Sequence, residues 1–167
     1  MYNIGIIGRG FVGSAVAHGF SDGVGYSANI RIYDKDPSKS LNSLEDVVNN
    51  SDFIFVSVPT PSNEDGTISI EILNSCIREI NDVHSNKKHS NPIILIRSTI
   101  LPGTSKKIQN TFPDMRIVFN PEFLTERSAN FDFISQTRFV LGGDKKNVSE
   151  VSKLYKDRFG SSISIIE

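Results

Sequence analysis

The segment Ile4-Gly-Ile-Ile-Gly-Arg-Gly-Phe-Val-Gly13 constrains the chain more than any other, because an apolar run passes without a polar break into Gly8-x-Gly10-x-x-Gly13. A parallel strand buried on both faces reads as continuous Val and Ile, and a helix starting directly after it leaves backbone N–H groups free to meet a phosphate. Gly8 permits the tight turn, Gly10 removes the side chain that would block a pyrophosphate, and Gly13 lets the helix lie close on its strand. Phe11 and Val12 belong to the same cofactor-binding loop. A site of this kind holds a dinucleotide.

Glycine turns are common, so the context has to carry the reading. Tyr2 to Ile7 fits a first strand, Phe11 to Phe20 a helix, and Asn29 to Tyr33 a second strand ending at Asp34. Asp34 follows Gly13 by 21 residues, the separation at which a carboxylate accepts both hydroxyls of the adenosine ribose. An acid there favours NAD over NADP, whose 2'-phosphate it repels. Lys35 works the other way, since it can pair with a phosphate.

At 167 residues the chain is the length of one domain, too short for a complete two-domain dehydrogenase. Its formal charge is −1, from 18 basic and 19 acidic residues without a basic block, so nucleic acid is not an expected partner. Cys76 is the only cysteine, which excludes an internal disulfide; its place in Ile72-Leu73-Cys76-Ile77-Ile80 marks a small buried hydrophobe on a helix face. His18, His84 and His89 share no metal-binding spacing, so no metal is expected. No basic and apolar leader precedes the first strand, and every apolar run falls short of the roughly 20 residues of a membrane helix. The expectation is a cytoplasmic chain without membrane contact, monomeric by default.

Short apolar runs recur at Tyr2 to Ile7, Asn29 to Tyr33, Phe53 to Val58, Ile93 to Arg97, Arg116 to Phe119, Arg138 to Leu141 and Ile163 to Ile166. Helix-compatible stretches separate them: Ser43 leads a short helix with early acids, Ser69 to Val83 is amphipathic, Pro102 can open a helix, and Val148 to Phe159 closes the series. His84 to Asn91 reads as a polar turn. The strand-then-helix rhythm predicts an α/β fold, Rossmann-like and doubly wound, whose mostly parallel sheet carries helices on both faces of a single domain.

Ligands of open α/β sheets lie at the carboxyl ends of the strands, so the irregular segments there are candidates. Val58-Pro-Thr-Pro61 cannot continue a strand, and is either part of the site or a plain surface connection. Ser98 and Thr99 end the fourth strand, where hydroxyls can face a nicotinamide or order a water. Glu122 and Glu126 stand four apart, so a helical or turn conformation would put both on one face of the crevice, a route to a general base. Arg97 and Arg127 offer the alternative, a purely structural network of charges.

Taken together, Gly8-Arg-Gly-Phe-Val-Gly13, Val58-Pro-Thr-Pro61, Arg97-Ser-Thr-Ile-Leu-Pro-Gly-Thr104, Asn120-Pro-Glu-Phe-Leu124, and Ser128-Ala-Asn-Phe-Asp132 leading to Arg138-Phe-Val-Leu-Gly-Gly143 resemble the N-terminal NAD-binding domain of the UDP-glucose/GDP-mannose dehydrogenase family. The resemblance covers nearly the whole chain. It implies oxidation of the C6 alcohol of a nucleotide sugar to a carboxylate with NAD. It further implies that Thr99 orders water and the reacting oxygen, that Glu122 does acid/base work, and that Glu126 sits near the nicotinamide ribose. Val58, Pro59, Thr60 and Ser98 would line the cofactor with Asp34 and Lys35, while Phe123 and Leu124 would meet the sugar.

Three departures accompany the resemblance. The family motif usually ends in Glu-Gly where this chain has Glu126-Arg127, which puts a bulky charge beside the sugar site. Only Lys35 to Leu44 separates Asp34 from the second helix, where the family carries a longer segment. The family's catalytic cysteine, lysine and aspartate and its dimer helix belong to a C-terminal half, for which Cys76 is no substitute. The chain is therefore expected to bind NAD without turning over by itself, and to need a C-terminal domain or partner chain to engage a nucleotide sugar. The alternatives are one subunit of a split dehydrogenase or a stand-alone, non-catalytic NAD-binding or assembly module. The Pro-Thr-Pro and Asn-Pro-Glu-Phe-Leu blocks argue against a 6-phosphogluconate or 3-hydroxyacyl type of dehydrogenase.

Overall fold

In the computed structural model, which describes residues 1–85 and 91–167, five strands form the body of one sheet. They are β1 (Asn3–Ile7), β2 (Asn29–Tyr33), β3 (Phe53–Val56), β4 (Ile93–Ile96) and β5 (Arg116–Phe119), all parallel, in the order β2-β1-β3-β4-β5. β-branched and aromatic residues dominate them, and successive side chains go to opposite faces. Ile4, Ile6, Phe53, Phe55 and Leu95 pack into one layer, and Ile54, Val56, Ile94 and Ile96 into the other.

Both faces are covered. Helices α1 (Phe11–Gly19), α5 (Ala129–Ser135) and α6 (Lys145–Phe159) close the first layer, and α2 (Leu44–Asn49), α3 (Glu71–Ser85) and α4 (Thr104–Thr111) the second. This is the Rossmann-like, doubly wound α/β fold that the strand rhythm predicts. The close fit of α2 explains Gly5: a Cβ there would stand 2.7 Å from Ser51 Oγ and 2.8 Å from Val47 Cγ1. β2 lies on one side of β1 and β3 on the other, so the chain reverses its winding between β1 and β3. Crevices open at such reversals, outside the carboxyl ends of the strands.

The last third of the chain differs from the sequence-based expectation. The strands expected at Arg138 to Leu141 and Ile163 to Ile166 do not extend the main sheet. They form β6 (Arg138–Val140) and β8 (Ser164–Ile166), which pair with each other in a separate two-stranded parallel sheet. The Phe139 ring is buried and stacks on Tyr155 of α6 with centroids 3.6 Å apart, which draws β6 over that helix. The edge of the main sheet is taken instead by β7 (Gly142–Gly143), antiparallel to β5. Only glycine fits so close there, since a Cβ on Gly143 would meet the Ile117 carbonyl oxygen at 2.9 Å.

Helix α5 has no counterpart in the sequence reading. Its Ala-Asn-Phe-Asp-Phe-Ile-Ser run has no clear amphipathic period, and tertiary packing makes it: Phe133 is fully buried among Phe20, Phe139 and Phe159. Smaller differences lie at helix starts. Ser43 caps α2 by accepting from Asp46 N at 3.1 Å, as expected, whereas α4 opens at Thr104, after Gly103 with φ +87°, and not at Pro102. Of the polar turn His84 to Asn91, residues 86–90, His89 among them, lie outside the described residues. Among the described residues no helix is long and apolar enough to cross a membrane.

A Cβ on Gly19 would lie 2.2 Å from Phe133 Cδ1, so α1 and α5 touch only because that position is bare. Gly19→Ala should lower the unfolding free energy by about 1–3 kcal/mol through overpacking. Urea denaturation checks this, as a fall in midpoint at unchanged slope.

Candidate functional site

The expected site residues lie along the carboxyl edge of the sheet in strand order. The glycine loop and Asp34 follow β1 and β2, Val58 to Thr60 follow β3, Ser98 and Thr99 follow β4, and Asn120 to Arg127 follow β5. From β1 to β5 there are three inter-strand gaps of about 4.8 Å, roughly 14 Å in all. Two larger clefts, of about 640 and 660 Å³, lie elsewhere, by Tyr2, Asp52 and Arg116 and by Gln109, Met115 and Gly142. Neither meets the glycine turn or the β1–β3 reversal.

The turn itself is built by close backbone approach. Gly8 has φ +92°, and a Cβ on it would stand 2.6 Å from the Ser57 carbonyl oxygen. A Cβ on Gly13 would stand 2.0 Å from the carbonyl oxygen of Gly8. Gly10 is the opposite case: a Cβ there meets nothing within 4 Å, because the space in front of it is open. Gly10 immediately precedes α1, whose first turn has no side-chain cap and no acidic residue. The N–H groups of Phe11, Val12 and Gly13 and the positive helix end therefore border an open space shaped to take an anionic group. These residues fit a dinucleotide pyrophosphate.

Asp34 is held from two sides. Its Oδ2 accepts from Arg9 N at 2.6 Å and its Oδ1 from Asp36 N at 2.8 Å. Two backbone donors aim the carboxylate while each oxygen keeps a lone pair for a ribose hydroxyl. Beside it is a small apolar cavity of about 90 Å³ between β2 and α3, floored by Ile7 and Gly8 and walled by Tyr33, Leu44, Ile72 and Cys76. Val58 and Pro59 complete it on the β3 side. Lys35 and Glu79 stand at the same cavity, paired at 3.2 Å. Leu44, Ile72 and Glu79 are absent from the sequence-based site because their positions on helices read as ordinary helix faces.

Along the rest of the edge, buried polar ties hold the loops. Ser98 Oγ donates to the Val58 carbonyl at 2.7 Å, joining the loops after β4 and β3. Thr99 and Pro59 are exposed, and Thr60 is half-buried. Asn120 is fully buried: its Oδ1 accepts from Arg97 Nη1 at 2.8 Å and from the Tyr155 hydroxyl, and its Nδ2 donates to the Val140 carbonyl at 3.0 Å. Burial pulls the Arg97 guanidinium below its ordinary pKa and pushes the Tyr155 hydroxyl up to about 12; the charge of Glu122 supports the Arg97 cation. Arg97 also lies over the Phe133 ring, 5.6 Å from its centroid. It thus serves a structural network of Asn120, Tyr155 and Phe133.

The two glutamates do not share a helical face. Residues 121–125 are irregular, and Glu126 opens a single 3-10 turn (Glu126–Ser128). Glu122 bends back so that its Oε2 accepts from Leu124 N at 2.6 Å, while Glu126 and Arg127 are exposed. Four-residue spacing does not align them because Asn120-Pro121 continues as an extended loop. Phe123 is 61% exposed and Leu124 packs on the core, so these two neighbours face different ways. Asp132, which no sequence pattern singled out as a site residue, pins this loop from α5: its Oδ2 accepts from Thr125 N at 2.8 Å and Ser128 Oγ at 2.9 Å.

Comparison with known proteins bears on the family and the fold. The model of the UDP-glucose/GDP-mannose dehydrogenase family, NAD binding domain, matches residues 39–158. The chain belongs to that family. The match begins after the glycine turn and Asp34, so those residues rest on the geometry above. UDP-glucose 6-dehydrogenase AglM of Haloferax volcanii is 26% identical over 88% of this chain and 42% of its own length. GDP-mannose 6-dehydrogenase of Pseudomonas putida is 31% identical over 62% of this chain and 26% of its own. A UDP-glucose dehydrogenase structure from Pyrobaculum islandicum superposes with a TM-score of 0.82 over 99% of this chain and 46% of that one, at 23% identity, which speaks to the fold alone. The chain thus spans less than half of each of these relatives.

Cys76 is buried in the cavity wall, and burial pushes its thiol up to about 12. At pH 8 it should react with a disulfide reagent at least about a hundredfold more slowly than in the urea-unfolded chain, because the thiolate is the nucleophile. Release of the chromophoric thiol over time reads both rates.

Proposed function

We propose that these residues are the cofactor-binding half of an NAD-dependent nucleotide-sugar 6-dehydrogenase of the UDP-glucose type, which does not turn over until a C-terminal domain or partner chain completes it. The convergence of Gly8 on the Ser57 carbonyl beside an uncapped helix start and a doubly anchored Asp34 carries the cofactor half of this reading. The coverage of less than half of each full-length relative supports the rest.

In this reading Gly8, Gly10, Phe11, Val12 and Gly13 hold the pyrophosphate, and Asp34 accepts the adenosine ribose hydroxyls with Lys35 beside it. Val58, Pro59, Thr60, Ser98, Thr99 and Glu126 line the path toward the nicotinamide. NAD supplies the hydride acceptor. The chain's own contribution is to orient and to move a proton: the Thr99 hydroxyl, exposed at the end of β4, holds the reacting oxygen or a water, and Glu122 takes the alcohol proton. Phe123 and Leu124 present backbone to the sugar, and Arg127 reshapes that subsite where the family usually has Gly.

Calorimetry with NADH on the 167-residue chain tests the cofactor half. Asp34→Ala should weaken binding by well over tenfold, and a bulky residue at position 10 should do the same; equal affinity removes the assignment. In the completed enzyme, Glu122→Gln should lower kcat and leave NADH affinity within about twofold, since a proton acceptor is lost and no cofactor contact changes. Unchanged turnover would remove Glu122 from the chemistry.

A further inference from the structure

Lys35 directly follows the acid that faces the adenosine ribose, and a cation in that place invites a 2'-phosphate. The structure gives that cation a partner from another element. Lys35 Nζ lies 3.2 Å from Glu79 Oε1 on α3, 44 residues further along the chain, and both line the 90 Å³ cavity beside Asp34. Ser75 Oγ, one turn earlier on α3, donates to the same Glu79 oxygen at 3.0 Å, which orients the carboxylate.

Two other cations stand at this end, Lys39 and Arg9. Lys39 Nζ stands 3.8 Å from Asp36 Oδ2, and Arg9 Nη1 donates to the Lys39 carbonyl at 3.1 Å. Asp34, Lys35 and Glu79 together carry −1. Without Glu79 they would carry zero, and Lys35 would be free to turn toward a phosphate dianion.

Resting on the NAD reading above, we propose that Glu79 is a specificity-determining residue, which keeps the site selective for NAD by holding Lys35 away from a 2'-phosphate. Asp34 alone would be an incomplete barrier, because its neighbour in sequence offsets it. Glu79 restores the barrier from across the cavity. The effect is electrostatic and partly solvent-exposed, so its size is modest and falls with salt.

The test is calorimetric titration of the 167-residue chain with NADH and with NADPH at low and at high salt. Glu79→Gln should tighten NADPH binding about three- to tenfold and leave NADH within about twofold, and 0.5 M NaCl should shrink the gain. The double variant Glu79→Gln with Lys35→Met should return NADPH to the parent value. If Glu79→Gln leaves NADPH unchanged while NADH still binds, the specificity role is overturned and the NAD site stands. If the gain survives in the double variant, the cation involved is Arg9 or Lys39 and the role of Lys35 is overturned. A parent chain that binds neither nucleotide overturns this inference and the NAD reading together.

Discussion

Two carbonyl oxygens, those of Gly8 and Ser57, occupy the places where side chains at positions 13 and 8 would stand. Everything at the carboxyl edge depends on that crowding. Because Gly13 is bare, α1 starts hard against the end of β1; because Gly8 is bare and left-handed, the β1 exit passes beside the β3 exit. The result brings a helix start, an open space before Gly10 and the Asp34 carboxylate to one reversal point of the sheet. Parallel strands make this possible, since all five carboxyl ends are on one side.

The rest of the edge is held by buried polar groups. Asn120 joins β4, β5, β6 and α6 through one side-chain amide, and Ser98 joins the loops after β4 and β3. Groups this buried cost stability if left unpaired, so each bond also restricts the loop it serves. Arg97 illustrates the cost: its Nε and Nη2 are buried and find no acceptor among the described residues, while its third nitrogen orients Asn120 two residues before Glu122.

The glycine turn and the placing of Asp34 beside it were legible because they depend on local rules. A glycine turn after an apolar strand and an acid after the next strand each report a backbone requirement within a few residues. The other side was less so. Four-residue spacing suggested one face for Glu122 and Glu126, and the extended loop after Pro121 cancels it. Glu79, Leu44 and Ile72 belong to the site region through contacts between elements far apart in sequence, and nothing in their own neighbourhoods marks them.

By itself the sequence determined the fold class, the covering of both sheet faces, the glycine turn after the first strand and the family, since strand burial and glycine placement are written in residues close along the chain. Tertiary structure alone decided three things: the diversion of Arg138–Val140 and Ser164–Ile166 into their own sheet, the helix around Phe133, and the pairing of Lys35 with Glu79. Each is a choice between partners of similar local propensity. Stacking of Phe139 on Tyr155, burial of Phe133 against Gly19 and the proximity of α3 to the end of β2 settle those choices, and such distances exist only once the layers have packed.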